Sequence, residues 1–234
     1  GSEVGVVNTL GYTPYGGCLL KTTSVMYSGN GNIQLTGSLG DVIKESIYVA
    51  MGYIKANSMI LDIDNSIFTK NDFHIHFESG SIFKEGPSAG VSLITSLISL
   101  IKKKPIDSSI SMTGEITLRG RVLGIGGLKE KIIGAHRAGI KKILLPQENE
   151  KDLDEVPTEV KDMIKFIFVK TYEDIFKELF KETEYVLNTQ PKCFDKLYVD
   201  VALSAEEQSE IYTPDKPVTK HGLKPDCSIT NTRT

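Results

Sequence analysis

Neither a disulfide framework nor a zinc knuckle fits this sequence, because its 234 residues hold three cysteines, Cys18, Cys193 and Cys227, widely spaced and odd in number. Such a set excludes dense cross-linking and any CxxC metal motif, and it points to a reducing compartment. No apolar run approaches the roughly 18 residues that a membrane-spanning helix needs, and the chain opens with neither a charged leader nor a secretory core. A continuous basic stripe is missing as well. The net charge is -3 and charges of both signs are interspersed, which argues against a nucleic-acid backbone as partner. The one run of like charge, Lys102-Lys103-Lys104, follows an apolar helical pattern and precedes Pro105, where cations complement a helix C-terminus. No repeat of 20 to 50 residues is visible, which argues against a solenoid. Gly1-Ser2 reads as a cloning remnant, so the chain is expected to be an excised piece of a longer polypeptide.

What is present is a composition that is 40% hydrophobic, enough for one substantial core. Residues 4–7, 18–25 and 33–35 are β-rich and punctuated by Gly11, Pro14, Gly16-Gly17 and Gly29-Asn30-Gly31, as hairpins would be. From Asp41 the period changes. Val42, Ile43, Ser46, Ile47, Ala50, Tyr53 and Ile54 mark one face of a helix. Residues 73–77 alternate as a strand, with His74 and His76 opposite Ile75. A helix with Leu93, Ile94, Leu97, Ile98 and Ile101 on its apolar face follows, then strand material at 110–113, 115–118 and 121–123. Gly126-Gly127 leads a second helix with Leu128, Ile132, Ile133, Ala135 and Ala138 inward and Gly139 as its stop. Residues 142–145 and 166–169 read as strands and 172–180 as a closing helix. The fold class expected is α/β (α+β mixed), in a domain spanning 1–187. Residues 188–234, with Pro191, Pro214, Pro217 and Pro225 and a possible short strand at 196–203, are expected to be a flexible C-terminal extension.

Chemistry concentrates at two places. Ser88, between Pro87 and Ala89, stands at the mouth of the 93–101 helix, where an uncrowded hydroxyl meets the free amides of a helix start. On the 128–138 helix Lys129 and Lys131 point in different directions, so at most one of them shares a site with Ser88. A lysine acts as a base only when neutral, which requires burial to lower its ordinary pKa by about three units, or roughly 4 kcal/mol. Spacing alone does not choose between the lysines, nor does composition exclude His136, His74 or His76 as the base. His74 and His76 could ligate a metal, but no acidic or thiol partner stands near them in sequence. Gly124-Ile125-Gly126-Gly127 lacks the GK[ST] ending of a phosphate loop and reads as a turn into the Lys131 helix.

The stretch KEGPSAG, followed by MTGEITLRGRVLGIGGLKEKIIGAHRAGIKKILLP, resembles the proteolytic domain of Lon, the ATP-dependent protease. The similarity runs from about Val4 to Leu179 and includes TGSLGDVIKES and HIHF in the same order. It implies the Lon proteolytic fold, with N-terminal β-hairpins and a helix-flanked mixed sheet. The implied nucleophile is Ser88 and its base Lys131, with Thr113 orienting the lysine, Glu115 a lesser supporting residue, and amides from Gly86 to Ser88 facing the oxyanion. Two departures stand out: Glu85, which with Gly86 counts among the supporting residues, replaces the aspartate of DGPSAG, and ESGSIF replaces PEGATP before it, so the resemblance fixes neither the resting position of residue 85 nor the rigidity of its loop. The family reading makes His74 and His76 neither zinc ligands nor base.

The resemblance further implies an ATP-dependent serine endopeptidase acting on unfolded or damaged polypeptides, arranged as a hexameric ring in the full-length protein. No GxxxxGK loop occurs, so ATP and Mg²⁺ are expected in an ATPase module outside this chain, and no cofactor or metal in this domain. Neither membrane nor nucleic acid is expected as a partner. A mitochondrial matrix is the compartment expected, with a bacterial cytoplasm as the alternative. The competing reading of another class is a catalytically silent scaffold or interaction domain on the same fold.

Overall fold

In the computed structural model the described residues are 1–13, 15–79 and 83–180. The expected extension at 188–234 and the short strand at 196–203 lie outside them. The strands are β1 (Val6–Thr13), β2 (Gly16–Ser28), β3 (Ile33–Thr36), β4 (Asn71–Phe77), β5 (Ile110–Met112), β6 (Glu115–Ile116), β7 (Val122–Leu123), β8 (Lys142–Pro146) and β9 (Lys165–Val169). The helices are α1 (Asp41–Ala56), α2 (Ile67–Lys70), α3 (Gly90–Lys102), α4 (Leu128–Arg137), α5 (Thr158–Lys161) and α6 (Tyr172–Leu179).

Seven strands form one mixed sheet in the order β3-β4-β2-β1-β5-β8-β9. β1, β2 and β4 pair antiparallel, while β1-β5, β5-β8, β8-β9 and β3-β4 are parallel. The first hairpin is longer than the sequence suggests. Gly11 and Gly17 were expected to interrupt it, yet both lie within the ladder, paired with Cys18 and Tyr12. The space at Gly11 is taken by the Leu20 and Cys18 side chains, so a missing side chain there serves packing and not a turn.

Alternation along the strands divides the interior in two. Val7, Met112 and Leu144 face a large core with α1, α3 and α6, whereas Leu10, Ile143 and Leu145 face a smaller one with α4. α3 and α4 therefore pack on opposite faces of the sheet. The first face of α3 is apolar as expected, but Ser92, Thr95, Ser96 and Ser99 are buried too. Each finds a hydroxyl or backbone partner: Ser96 Oγ donates to Gly5 O at 2.6 Å, and Ser99 Oγ accepts from Gly5 N at 2.9 Å. Two residues assigned inward from periodicity, Val42 and Ala138, are exposed; each sits at a helix end beyond the edge of its core.

The strand material around Gly114 also differs from expectation. β5 stops at Met112, and β6 with β7 forms a separate two-stranded hairpin. The reason is local: Thr113 N still donates to Leu144 O at 3.2 Å, but Gly114 N turns to Ser88 O at 2.8 Å, and the backbone leaves the sheet there. α6 ends the described chain and starts with a capping box in which Thr171 and Asp174 bond each other's backbone amides.

Candidate active site

Ser88 is carried on a 3-10 turn, Pro87–Ala89, that runs directly into α3. Gly86 precedes it at φ 106°, a backbone angle that a side chain resists, and Pro87 fixes the next φ. The carbonyl of Ser88 is held twice, by Gly114 N at 2.8 Å and by Thr113 Oγ1 at 3.2 Å. With α3 buried behind it, this turn has little freedom. The half-buried Ser88 hydroxyl opens into a cleft of about 420 Å³ with walls that include Thr9, Leu10, Cys18, Phe77 and Lys131.

Lys131 comes from the other face of the sheet. Gly127, left-handed at φ 67°, starts α4, and Leu128, Ile132 and Ala135 bury its inner stripe. Lys131 lies on that stripe and is only 3% exposed, whereas Lys129 faces solvent. Nζ of Lys131 donates to Ser88 Oγ at 3.0 Å and to Thr113 Oγ1 at 3.1 Å. Burial lowers its pKa from the ordinary lysine value to about 8, against a smaller opposing pull from the Cys18 thiol. A neutral Nζ has a lone pair within reach of the serine proton, and this arrangement is what general-base chemistry requires.

Ser88, Lys131 and Thr113 are thus brought together beyond the C-terminal end of β5. Glu115 lines the same cleft but, among the described residues, hydrogen-bonds neither Ser88 nor Lys131. Glu85 turns away from the lysine. Its Oε1 accepts from Val42 N at 2.9 Å and Ile43 N at 3.3 Å, so the carboxylate caps the N-terminus of α1. Gly86 N also donates to Glu85 Oε1, at 3.1 Å, and this amide is engaged in the state described. His74 Nε2 and His76 Nδ1 both lie 2.8 Å from Thr36 Oγ1, tying β4 to β3. Among the described residues no cluster of three or more His, Cys, Asp or Glu could hold a metal, and neither these histidines nor His136 bonds Ser88.

Three features had no strong sequence signal. Lys84 is buried, although nothing in KEGPSAG marks it apart from a solvated lysine. Cys18 stands in the cleft with its pKa raised by burial, while Lys84 and Lys131 pull it the other way. Glu148 and Asn149 hold the glycine turn before α4: Gly124 N donates to Glu148 Oε2 and Ile125 N to Asn149 Oδ1, each at 2.9 Å. Those amides, which a phosphate would need, are occupied. A polar side chain 24 residues away has no periodicity that reveals such a contact.

The family model described as Lon protease (S16) C-terminal proteolytic domain matches residues 1–182. A second model, for the type II restriction enzyme MunI, matches residues 166–234, overlapping only β9 and α6 of the described fold. Among curated proteins named Lon protease, that of Aster yellows witches'-broom phytoplasma is 49% identical over 178 residues, 76% of this chain and 22% of its own. The one from Malacoplasma penetrans is 50% identical over 177 residues, 76% of this chain and 23% of its own. That of the archaeon Methanosphaera stadtmanae is 51% identical over 174 residues, 74% of this chain and 21% of its own. The chain therefore spans about a fifth of the length of these relatives. No described helix is long and apolar enough to cross a membrane.

Proposed function

This chain belongs to the Lon protease family as its C-terminal proteolytic domain, and from that premise we propose that it cleaves peptide bonds with Ser88 as nucleophile and Lys131 as general base. The observation that carries the reading is the 3.0 Å contact between a buried amine and the hydroxyl of a rigid turn. Neutral Lys131 takes the Ser88 proton as Oγ attacks the peptide carbonyl, and the ammonium then returns that proton to the leaving amine. Water, activated by the same amine, releases the acyl group and restores both side chains. Thr113 orients Nζ, and Glu115 supports the cleft wall at one remove. The N–H groups of Gly86 and Ser88 stabilise the oxyanion, for which Gly86 N exchanges its contact with Glu85 for the substrate oxygen.

The wider activity belongs to the same proposal. A domain that is about a fifth of its relatives works within a longer protein, which supports an ATP- and Mg²⁺-using module elsewhere in the parent, feeding unfolded or damaged polypeptides to a hexameric ring. The domain itself needs no cofactor in this reading. It extends over 1–187, in keeping with a family match ending at 182, and 188–234 is an appended extension. For the compartment, bacterial and archaeal relatives support a cytoplasm of the bacterial kind; the mitochondrial matrix draws no support from them.

The test is casein and fluorogenic-peptide turnover by the full-length protein, compared with Ser88→Ala and Lys131→Ala. Both variants should be inactive while folded. Turnover by either at the wild-type rate refutes the dyad, and a folded wild type that neither cleaves nor reacts with a fluorophosphonate probe is the silent interaction domain instead.

A further inference from the structure

Among the described residues, the mechanism above leaves one buried cation unused. Lys84 is 5% exposed, four residues before Ser88, and makes no bond to the Ser88 hydroxyl. Its Nζ donates to Gly37 O at 2.8 Å and to Ser79 O at 2.7 Å. Its backbone is also tied: Lys84 N donates to Ser38 O and Gly40 N to Lys84 O, each at 2.9 Å, forming a parallel bridge between Leu39 and Lys84. One residue on, Glu85 caps α1.

Two of these acceptors are set in uncommon backbone. Ser38 and Ser79 have φ of 60° and 62°, the left-handed region that residues with a side chain seldom occupy. Ser38 supplies the carbonyl to Lys84 N, and Ser79 supplies one to Nζ. Gly37, which presents the other carbonyl, is pressed so closely on Phe77 that a Cβ would collide with its backbone. Left-handed serines persist where surrounding contacts over-determine them, and burying an ammonium is costly unless fixed acceptors receive it. Burial also lowers the pKa of Lys84, as expected for a cation taken from water. Strain and desolvation converge on one residue beside the nucleophile's turn.

We infer that Lys84 is a positioning residue for Ser88: its buried ammonium pins residues 83–85 to the connection between β3 and α1 and to the end of β4, and so sets where the turn carrying Ser88 begins. The inference rests on the reading of Ser88 and Lys131 as the dyad. It adds that the hydroxyl's register is fixed by a cation that touches no reacting atom.

The experiment uses the full-length protein with Lys84→Met, Lys84→Gln and Lys84→Arg beside Ser88→Ala and Lys131→Ala. The readouts are kcat and KM on a fluorogenic peptide, the fraction of Ser88 that a fluorophosphonate titrates, and the labelling rate per titratable site across pH. Lys84→Met should keep its titratable sites but label each about 30- to 100-fold more slowly, as expected for a displacement near 1 Å, with KM within about threefold of wild type. The pH midpoint should not move, because Lys131 is untouched, and Lys84→Arg should recover most of the rate. A wild-type rate per site in Lys84→Met, or losses confined to the number of sites, overturns the inference. Should Lys84→Met fail to fold, Lys84→Gln is judged by the same per-site rate: slow supports the inference, wild-type overturns it. Activity surviving in Ser88→Ala sinks the dyad reading, whereas a dead Ser88→Ala with a normal Lys84→Met sinks only the role of Lys84.

Discussion

Gly17 of β2 and Gly134 of α4 meet backbone to backbone: a Cβ on Gly134 would stand 2.5 Å from the Gly17 carbonyl carbon and oxygen. A Cβ on Gly17 would in turn collide with the carbonyl of Glu130, the residue before Lys131. The depth to which α4 sinks on the sheet, and with it the position of Nζ, depends on these absent side chains. Gly17→Ala should lower stability by about 1 to 3 kcal/mol, the usual cost of overpacking. It should also reduce Ser88 labelling per folded molecule; urea denaturation together with labelling measures both, and an unchanged labelling rate would show that α4 need not move.

In the proposed mechanism the acidity of Lys131 sets the pH profile. With a pKa of about 8, the neutral amine is about a tenth of the population at pH 7 and about nine tenths at pH 9. The rate kcat/KM should rise close to tenfold over that interval and fall tenfold per unit below it. A profile flat from pH 5 to 9 is incompatible with a lysine base.

The same burial has a stability signature. Lys131 binds its proton less tightly when folded than when unfolded, so between about 8 and 10.5 the unfolded chain holds more protons and stability rises with pH. Below that window the penalty is present in full. Lys131→Met should therefore stabilise the protein at pH 7 by on the order of 2 kcal/mol, with the gain shrinking towards pH 10.5. Denaturation curves of variant and wild type at pH 7 and 10 check this, and an equal gain at both would contradict it.

Thr113 is fully buried and bonds both members of the pair, accepting from Lys131 Nζ and donating to Ser88 O. Thr113→Val keeps its shape and loses both contacts. The expected result is a fall in kcat of about tenfold to a hundredfold with KM nearly unchanged, and recovery in Thr113→Ser.

Asn149 anchors the turn into α4 through Ile125, accepting from its N–H and donating to its carbonyl at 2.8 Å. Asn149→Ala leaves two part-buried backbone groups without their partner and should cost about 1 kcal/mol, read by thermal unfolding.

How far these residues were legible depended on the range of the interaction. α3 and α4 were visible because apolar side chains recur with the helix period, and glycines stand where they start or stop. Motif resemblance put Ser88, Thr113 and Lys131 on one site, and the fold joins them although they are 18 to 43 residues apart. The glycines of the first hairpin misled, since Gly11 and Gly17 sit inside a ladder and yield space to Leu20 and α4, a need that comes from tertiary packing and leaves no local trace. Lys84 and Asn149 were invisible for the same reason: each binds a carbonyl of a distant segment, Gly37 for one and Ile125 for the other, and a polar letter in a sequence does not tell which carbonyl it will find.

The placement of α3 and α4 on opposite faces of the sheet has a mechanical corollary. The hydroxyl travels with one layer and the amine with the other, so the gap between them gauges how the two layers are aligned. In the proposed mechanism a slip of a single ångström between those layers would slow turnover about a hundredfold while leaving each half intact.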